Sequence, residues 1–163
     1  MGNTTTSIGM RLAFWKKSIE FIAAAPLLGP GTGTIKALFQ RKASNESGTS
    51  AVITGNPHNQ ILAVAIPLGT NGAVVLIAMW IAHLALFRDA TSMSWFGVIV
   101  VVSNVVSSLF NTHLFDFTQG WLYVFRVGII GGAVLRQRND INVGVQHYVA
   151  PAEIDHTARG SAT

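Results

Sequence analysis

The sequence contains no cysteine, and only 11% of its 163 residues are charged. Without cysteine, disulfide frameworks and thiolate metal sites are excluded. Soluble domains usually carry about a quarter of charged residues, so the shortage of charge argues against an ordinary soluble domain. The chain also lacks a basic segment followed by a short apolar run at its start, so it shows no secretory signal peptide.

The apolar residues are concentrated in three stretches, residues 60–87, 95–112 and 120–135. A membrane-spanning helix needs roughly 17–25 mostly apolar residues, and each stretch approaches that length with its flanks. The buried core of a soluble three-helix protein is the alternative. None of the stretches has the apolar and polar faces of an amphipathic core helix. The sequence therefore predicts an all-α membrane protein with three transmembrane helices.

The first 57 residues are mixed and polar. Apolar residues at helical spacing predict an amphipathic helix over residues 8–25 that lies on a membrane surface. Pro26 and the run GPGTG (29–33) end this helix, and a short helix follows over residues 34–42. The positions that form the apolar stripe of the first helix are Ile8, Leu12, Trp15, Ile19 and Ile22.

This pattern predicts three regions. Residues 1–57 form an extracytoplasmic loop with amphipathic helices, residues 58–138 a three-helix membrane region, and residues 139–163 a poorly ordered cytoplasmic tail. Three spans make a poor independent core, and the chain begins in polar sequence. We therefore expect the C-terminal part of a larger polytopic protein, which is inactive as an isolated fragment.

The glycine-rich run is a candidate anion site. Clustered glycines, here including Gly31 and Gly33, can point backbone N–H groups at a phosphate. The run lacks the Lys-Ser/Thr ending of a nucleotide-binding loop and does not follow a strand, so a simple turn between helices is the alternative. The surrounding segment is strongly basic, which suits the phosphate of a lipid or a donor but also a solvated surface near anionic headgroups. Its basic residues are Arg11, Lys16, Lys17, Lys36, Arg41 and Lys42, against the acidic Glu20 and Glu46.

The stretch GNPHNQ (55–60) places His58 between a polar loop and an apolar helix. Imidazole titrates near neutral pH and is the usual general base for a hydroxyl. A lone histidine is more often structural. Here Asn59 follows directly and could orient the ring, which favours a functional role.

Three further polar residues accompany the spans. His113 and Asp116 follow the second span and emerge on the same side as His58 if all three spans form. Both are explained equally by ordinary interfacial polarity. Arg126 lies inside the third span, where a charge is costly and usually faces a partner helix or a ligand such as substrate phosphate.

Taken together, four motifs resemble the O-antigen ligase and polymerase superfamily of bacterial membrane glycosyltransferases. Their order is R-x3-W (11–15), P-x2-G-x-G (26–31), H-N-x2-L (58–62) and G-x2-G (69–72), and the resemblance covers residues 8 to about 135. The chain departs from the family at Pro67, where an acidic residue is common. It also lacks the N-terminal membrane helices of the family.

The resemblance implies transfer of a glycan from undecaprenyl pyrophosphate to an acceptor hydroxyl, such as that of a lipid A core sugar. It makes His58 the catalytic base and Arg11 the residue that holds the pyrophosphate. It implies a multi-pass protein of the bacterial inner membrane with residues 1–57 in the periplasm, and no cofactor, metal or nucleic acid. The further expected substrate-binding residues are Asn59, Gly31, Gly33, His113 and Arg126.

Two alternatives remain open at this level. A polysaccharide polymerase or a protein-glycosylating ligase of the same superfamily differs only in its acceptor, which the sequence does not reveal. A non-catalytic membrane scaffold is the alternative from another class, and in it His58 and Arg11 would be freely replaceable.

Overall fold

A computed structural model describes residues 7–149, and this part of the chain is helical, with five α-helices and no strand. Two short 3₁₀ turns interrupt the connecting loops. The predicted all-α class is confirmed, and the bounds of the first three helices agree with the sequence within one residue, while α4 begins and ends earlier than the predicted stretch 95–112. The helices are α1 (Ser7–Ala24), α2 (Ile35–Ala43), α3 (Gln60–Leu86), α4 (Ser92–Ser108) and α5 (Phe117–Val149).

Helix α3 is the element that supports a membrane location. It has 27 residues and is long and apolar enough to cross a membrane. Among the residues that the structure describes, it is the only helix with this property, since α4 is apolar but has 17 residues. The apolar part of α5 contains Arg126, which lowers its mean hydropathy. Three membrane spans therefore stay a prediction.

Helices α3, α4 and α5 pack around one apolar cluster. At its centre, the indole Nε1 of Trp80 donates a hydrogen bond to Oδ1 of Asn104 at 3.2 Å, so the polar groups of both side chains are used inside the bundle. Gly97 of α4 lies directly against the ring of Phe87, and any side chain there would overlap the ring. The cluster consists of Leu76, Trp80, Phe87, Val101, Tyr123, Val127 and Val134.

The outer faces of these helices are also apolar. Trp95 of α4 and Trp121 of α5 are each more than 60% exposed, as is Val75 of α3. Large exposed apolar patches usually face lipid or another protein segment. Such exposure is consistent with the predicted membrane region.

Helix α3 is broken near its first third, which the sequence analysis did not anticipate. Gly69 has φ 69° and ψ −168°, outside the helical region, and Pro67 lies two residues before it. Proline has no N–H to donate and its ring crowds the preceding turn, so a break at this place has a clear local cause. The apolar stretch 60–87 is therefore two helical segments joined at a kink.

Helix α5 continues much further than expected. Residues 139–149 are helical, whereas the sequence led us to expect a poorly ordered tail from residue 139. No proline interrupts the helix before Pro151. Arg138 also fixes this region, because its guanidinium donates to Oδ2 of Asp89 at 2.5 Å and to the carbonyl of Leu86 at 2.8 Å. The rest of the predicted tail, residues 150–163, lies outside the described residues.

Helix α1 packs against the bundle through a face beside its apolar stripe, and Trp15 of the stripe also contacts the rest of the chain. Phe14, Lys17 and Ser18 are buried, while Ile8 and Leu12 are more than half exposed. The helix thus leaves a row of apolar side chains open. Its predicted position on a membrane surface stays a prediction, with this open row as its structural basis.

Candidate functional site

The loop before α3 is held by its own side chains. The Oδ1 atom of Asn56 accepts the backbone N–H of His58 at 2.7 Å, and Thr54 Oγ1 bonds both backbone groups of Asn56. His58 has φ 53°, in the left-handed region. Histidine, asparagine and aspartate enter this region more readily than other non-glycine residues. The short polar sequence therefore builds a rigid turn that presents His58.

Helix α1 supports this turn from the side. The ring of Phe14 stacks on the imidazole of His58, with centroids 6.4 Å apart and ring planes 27° apart. The next residue, Trp15, donates its indole N–H to the carbonyl of the buried Pro57 at 3.1 Å. Arg11 lies three residues before Phe14, so it is on the same side of the helix, one turn away, and it is exposed. Helical spacing thus puts Arg11 on the side of α1 that contacts His58, while the roles of both residues stay predictions.

Asn59 has a structural role at the start of α3. Its Oδ1 atom accepts the N–H of Leu62 at 3.1 Å and caps the helix, while Nδ2 donates to the carbonyl of Leu109 at 3.1 Å. Side-chain caps of this kind satisfy N–H groups that a helix start leaves unpaired. The ring of His58 stacks on Phe14, whereas the side chain of Asn59 bonds backbone groups of Leu62 and Leu109. A contact of Asn59 with substrate stays a prediction.

The loop between α4 and α5 lies against the same end of α3. The buried Gln60 accepts the backbone N–H of Leu114 at 2.9 Å through its Oε1 atom. Between this loop and the His58 turn is a cavity of about 370 Å³, which we call the loop cavity. The sequence did not single out Asn56 or Asn111 as members of a site. The loop cavity is lined by Gly55, Asn56, Pro57, Ala63, Asn111, Thr112, Phe115 and Asp116.

The glycine-rich run packs against the kink of α3. The N–H of Gly31 donates to the carbonyl of Pro67 at 2.9 Å, and Thr70 N–H donates to the carbonyl of Pro26 at 2.7 Å. The carbonyl of Pro67 and the N–H of Thr70 lose their helical hydrogen-bond partners at the kink, and both are bonded by the turn instead. Because its N–H is bonded to Pro67, Gly31 is not free to bind a phosphate through that group. Gly33 is exposed with φ 84°, and its expected contact with substrate stays a prediction.

His113 and Arg126 meet in a second cavity, between α4 and α5. It measures about 380 Å³, and we call it the helix cavity. The residues that line it do not include His58 or Arg11. The helix cavity therefore brings His113 and Arg126 together, whereas His58 and Arg11 line neither cavity. The polar lining of the helix cavity consists of Ser103, Asn104, Ser107, His113, Gln119, Tyr123 and Arg126.

Two ion pairs connect α1 to α2 and the segment after it. Lys17 contacts Glu46 at 2.5 Å, and Lys42 contacts Glu20 at 2.9 Å. The hydrogen bond from Lys42 lowers the pKa of Glu20 and, reciprocally, raises that of Lys42. Both acidic side chains of the N-terminal segment are thereby neutralised. Within the described part of this segment, residues 7–57, four bases form no ion pair and leave this surface positive, namely Arg11, Lys16, Lys36 and Arg41.

Comparison with known proteins gives a partial match. A search of curated proteins found none that matches the chain. The family model described as O-antigen ligase matches residues 1–77. This range contains Arg11, the glycine-rich turn, the His58 turn and the kink of α3, but neither His113 nor Arg126. The resemblance to the O-antigen ligase superfamily is thus confirmed for residues 1–77 of this chain.

Proposed function

We propose that the protein transfers a glycan from undecaprenyl pyrophosphate to an acceptor hydroxyl, such as that of a lipid A core sugar. In this proposal, His58 is the general base and Arg11 holds the donor pyrophosphate. The observation that carries it is the contact of Phe14 with His58. This contact fixes the imidazole beside the helix face from which Arg11 projects.

The reaction is a single displacement. His58 removes the proton of the acceptor hydroxyl as its oxygen forms a bond to the anomeric carbon of the donor glycan. The bond between that carbon and the pyrophosphate oxygen breaks, and its electron pair leaves with undecaprenyl pyrophosphate. Arg11 stabilises the negative charge that grows on the leaving group through charge-assisted hydrogen bonds. The imidazolium then releases its proton to water.

The position of the turn suits a donor anchored in lipid. The reactive carbon of such a donor lies at the membrane surface, and His58 directly precedes the helix that is long and apolar enough to span the bilayer. The unpaired bases of α1 and α2 form a positive surface beside it. Such a surface raises the local concentration of an anionic donor.

His58→Asn provides the most direct test of the base, in the full-length protein in native membranes. Asparagine tolerates the left-handed backbone, so the turn is preserved while the base is removed. Transfer of O-antigen to lipid A core should fall about 10²–10⁴-fold, the usual contribution of a positioned general base. His83→Gln is the control, because glutamine can still bond the hydroxyl of Tyr123, which His83 contacts at 2.8 Å. Parental activity of His58→Asn at equal membrane levels would refute the assignment.

Arg11→Lys tests the phosphate contact. Lysine keeps the charge but loses the planar two-point grip on pyrophosphate, so donor use should fall about tenfold. The matched control is Arg136→Lys, an exposed arginine of α5 that follows the apolar part of the helix. An equal effect of both substitutions would contradict a specific role of Arg11.

Analysis of the reaction products distinguishes a ligase from a polymerase. A polymerase would lengthen the donor glycan without attaching it to lipid A core.

A further inference from the structure

We propose that the loop cavity binds a pyranose ring of one of the two glycan substrates, an inference that rests on the proposed function. The cavity measures about 370 Å³ and shares Asn56 and Pro57 with the turn that holds His58. A sugar in this cavity would therefore lie against the residues that directly precede His58 in the turn. The family match covers the cavity wall formed by residues 55–63. It ends before the opposite wall, residues 111–116.

The polar atoms of the loop cavity match the hydrogen-bonding pattern of sugar hydroxyls. The Oδ1 atoms of Asn56 and Asn111 accept backbone N–H groups, which leaves both Nδ2 groups without a partner among the described residues. Asp116 caps the start of α5 with Oδ1, which accepts from Thr118 and Gln119 at 3.0 and 3.1 Å. Its other oxygen remains available. A hydroxyl both donates and accepts, so it can bond a carboxylate and an amide at once.

Phe115 supplies an apolar surface in the same cavity. Its side chain is 59% exposed although it lies in a polar loop. The face of an aromatic ring is electron-rich and attracts groups with partial positive charge, such as the C–H groups on one face of a pyranose. An exposed phenyl ring beside amides and a carboxylate is therefore suited to a sugar.

Charge also decides what the loop cavity can hold. The carboxylate of Asp116 repels an anion, whereas the surface that contains Arg11 attracts one. The pyrophosphate of the donor is thus directed to α1, and an uncharged sugar to the loop cavity. The sugar is either the acceptor residue or the first residue of the donor glycan, since both share this chemistry.

Steady-state kinetics of the purified full-length protein can identify the sugar. Asp116→Asn keeps the helix cap, because asparagine caps as well as aspartate, but removes the charge. The KM for one substrate should rise about tenfold, the usual effect of losing a hydrogen bond to a charged group, with kcat within about twofold. Phe115→Ala should also raise this KM. Phe115→Tyr keeps an aromatic ring and should leave the KM at the parental value. Asp140→Asn, an exposed position of α5, is the matched control.

Each result has a distinct meaning. A raised KM for the acceptor assigns the loop cavity to the acceptor sugar, and a raised KM for the donor assigns it to the donor sugar. Unchanged KM values for both variants overturn the proposal while leaving the proposed function intact. If the parent transfers no glycan, saturation-transfer NMR with soluble core and repeat-unit oligosaccharides tests the cavity directly. Signals that persist in both Asp116→Asn and Phe115→Ala would then overturn it.

Discussion

At the residue scale, the site depends on three backbone positions with positive φ. These are His58 at 53°, Gly29 at 58° and Gly69 at 69°. Gly29 and Gly69 face each other's segments so closely that a side chain at either would overlap backbone atoms. The two glycines therefore allow the turn after α1 to contact the kink of α3. That contact in turn fixes α1, which supports His58.

Gly69→Ala should destabilise the protein strongly. The backbone angles of Gly69 lie in a region that essentially only glycine adopts, so alanine there costs about 1–3 kcal/mol, and its Cβ would also overlap the backbone of Leu27. We expect a lower unfolding temperature in detergent and weaker glycan transfer. Gly132→Ala is the control, because it lies in α5 with nothing within 4 Å of the added carbon. Equal unfolding temperatures for the two variants would contradict this account of the kink.

At the element scale, one partly exposed ion pair and one buried aromatic contact join α2 to α1. Lys42 and Glu20 are partly exposed, and their pKa values shift in opposite directions because of their mutual hydrogen bond. Phe39 of α2 adds one buried aromatic side chain, which packs edge-on against Phe14 and Phe21. The position of α2 should therefore respond to pH.

The contact between α1 and α2 should loosen in acid. The pKa of Glu20 lies below its usual 4.5 in the folded protein, so the contribution is present above that value and is lost as the pH falls through the lowered pKa. The pKa of Lys42 lies above its usual 10.5, so its contribution is lost only as the pH rises beyond that. Spin labels on α1 and α2 should show a broader distance distribution below about pH 4.

Glu20→Gln serves as the control for this measurement. Its distance distribution should be broad throughout the pH range, because the neutral side chain gains nothing from ionisation. The chain has no cysteine of its own, so one labelled cysteine can be introduced in each of the two helices. A parental distribution that stays unchanged down to pH 3 would contradict the proposed role of the pair.

At the scale of the whole molecule, the polar features lie at two ends of the α3–α5 bundle. The His58 turn and the α4–α5 loop meet at one end, through the bond between Gln60 and Leu114. At the other end, Arg138 connects α5 to the segment after α3. The first loop, residues 111–119, has no lysine or arginine, whereas Arg88, Arg136 and Arg138 lie toward the second end.

We expect the end with His58 to face the periplasm. Short cytoplasmic loops carry an excess of lysine and arginine, which favours the end with Arg138 for the cytoplasm. The six bases of residues 1–57 oppose this rule, but the pyrophosphate of the proposed donor would account for them. Reporter fusions after Lys42 and after Arg138 test the arrangement. Activity of a cytoplasm-specific reporter at Lys42 would contradict it.

The sequence by itself determined the helical class, the bounds of most helices and the position of His58 before α3. These properties depend on local patterns, namely apolar runs, helix-breaking residues and turn residues. The signal for the Asn56 turn was also local, since asparagine two residues before a turn position commonly bonds the backbone there. The family resemblance added roles for Arg11 and His58 that no local pattern carries.

Only the tertiary structure decided which groups meet. Trp15 and Pro57 are 42 positions apart, and Gln60 and Leu114 are 54 apart. Distant contacts also bond the N–H of Gly31 to Pro67 and hold α5 beside Asp89, and packing brings His113 and Arg126 into one cavity. Such contacts depend on how helices pack, because packing selects one face of each helix from several that the sequence allows. The sequence assigned the apolar stripe of α1 to a membrane surface, and only the structure shows that the face with Phe14 packs against the rest of the chain.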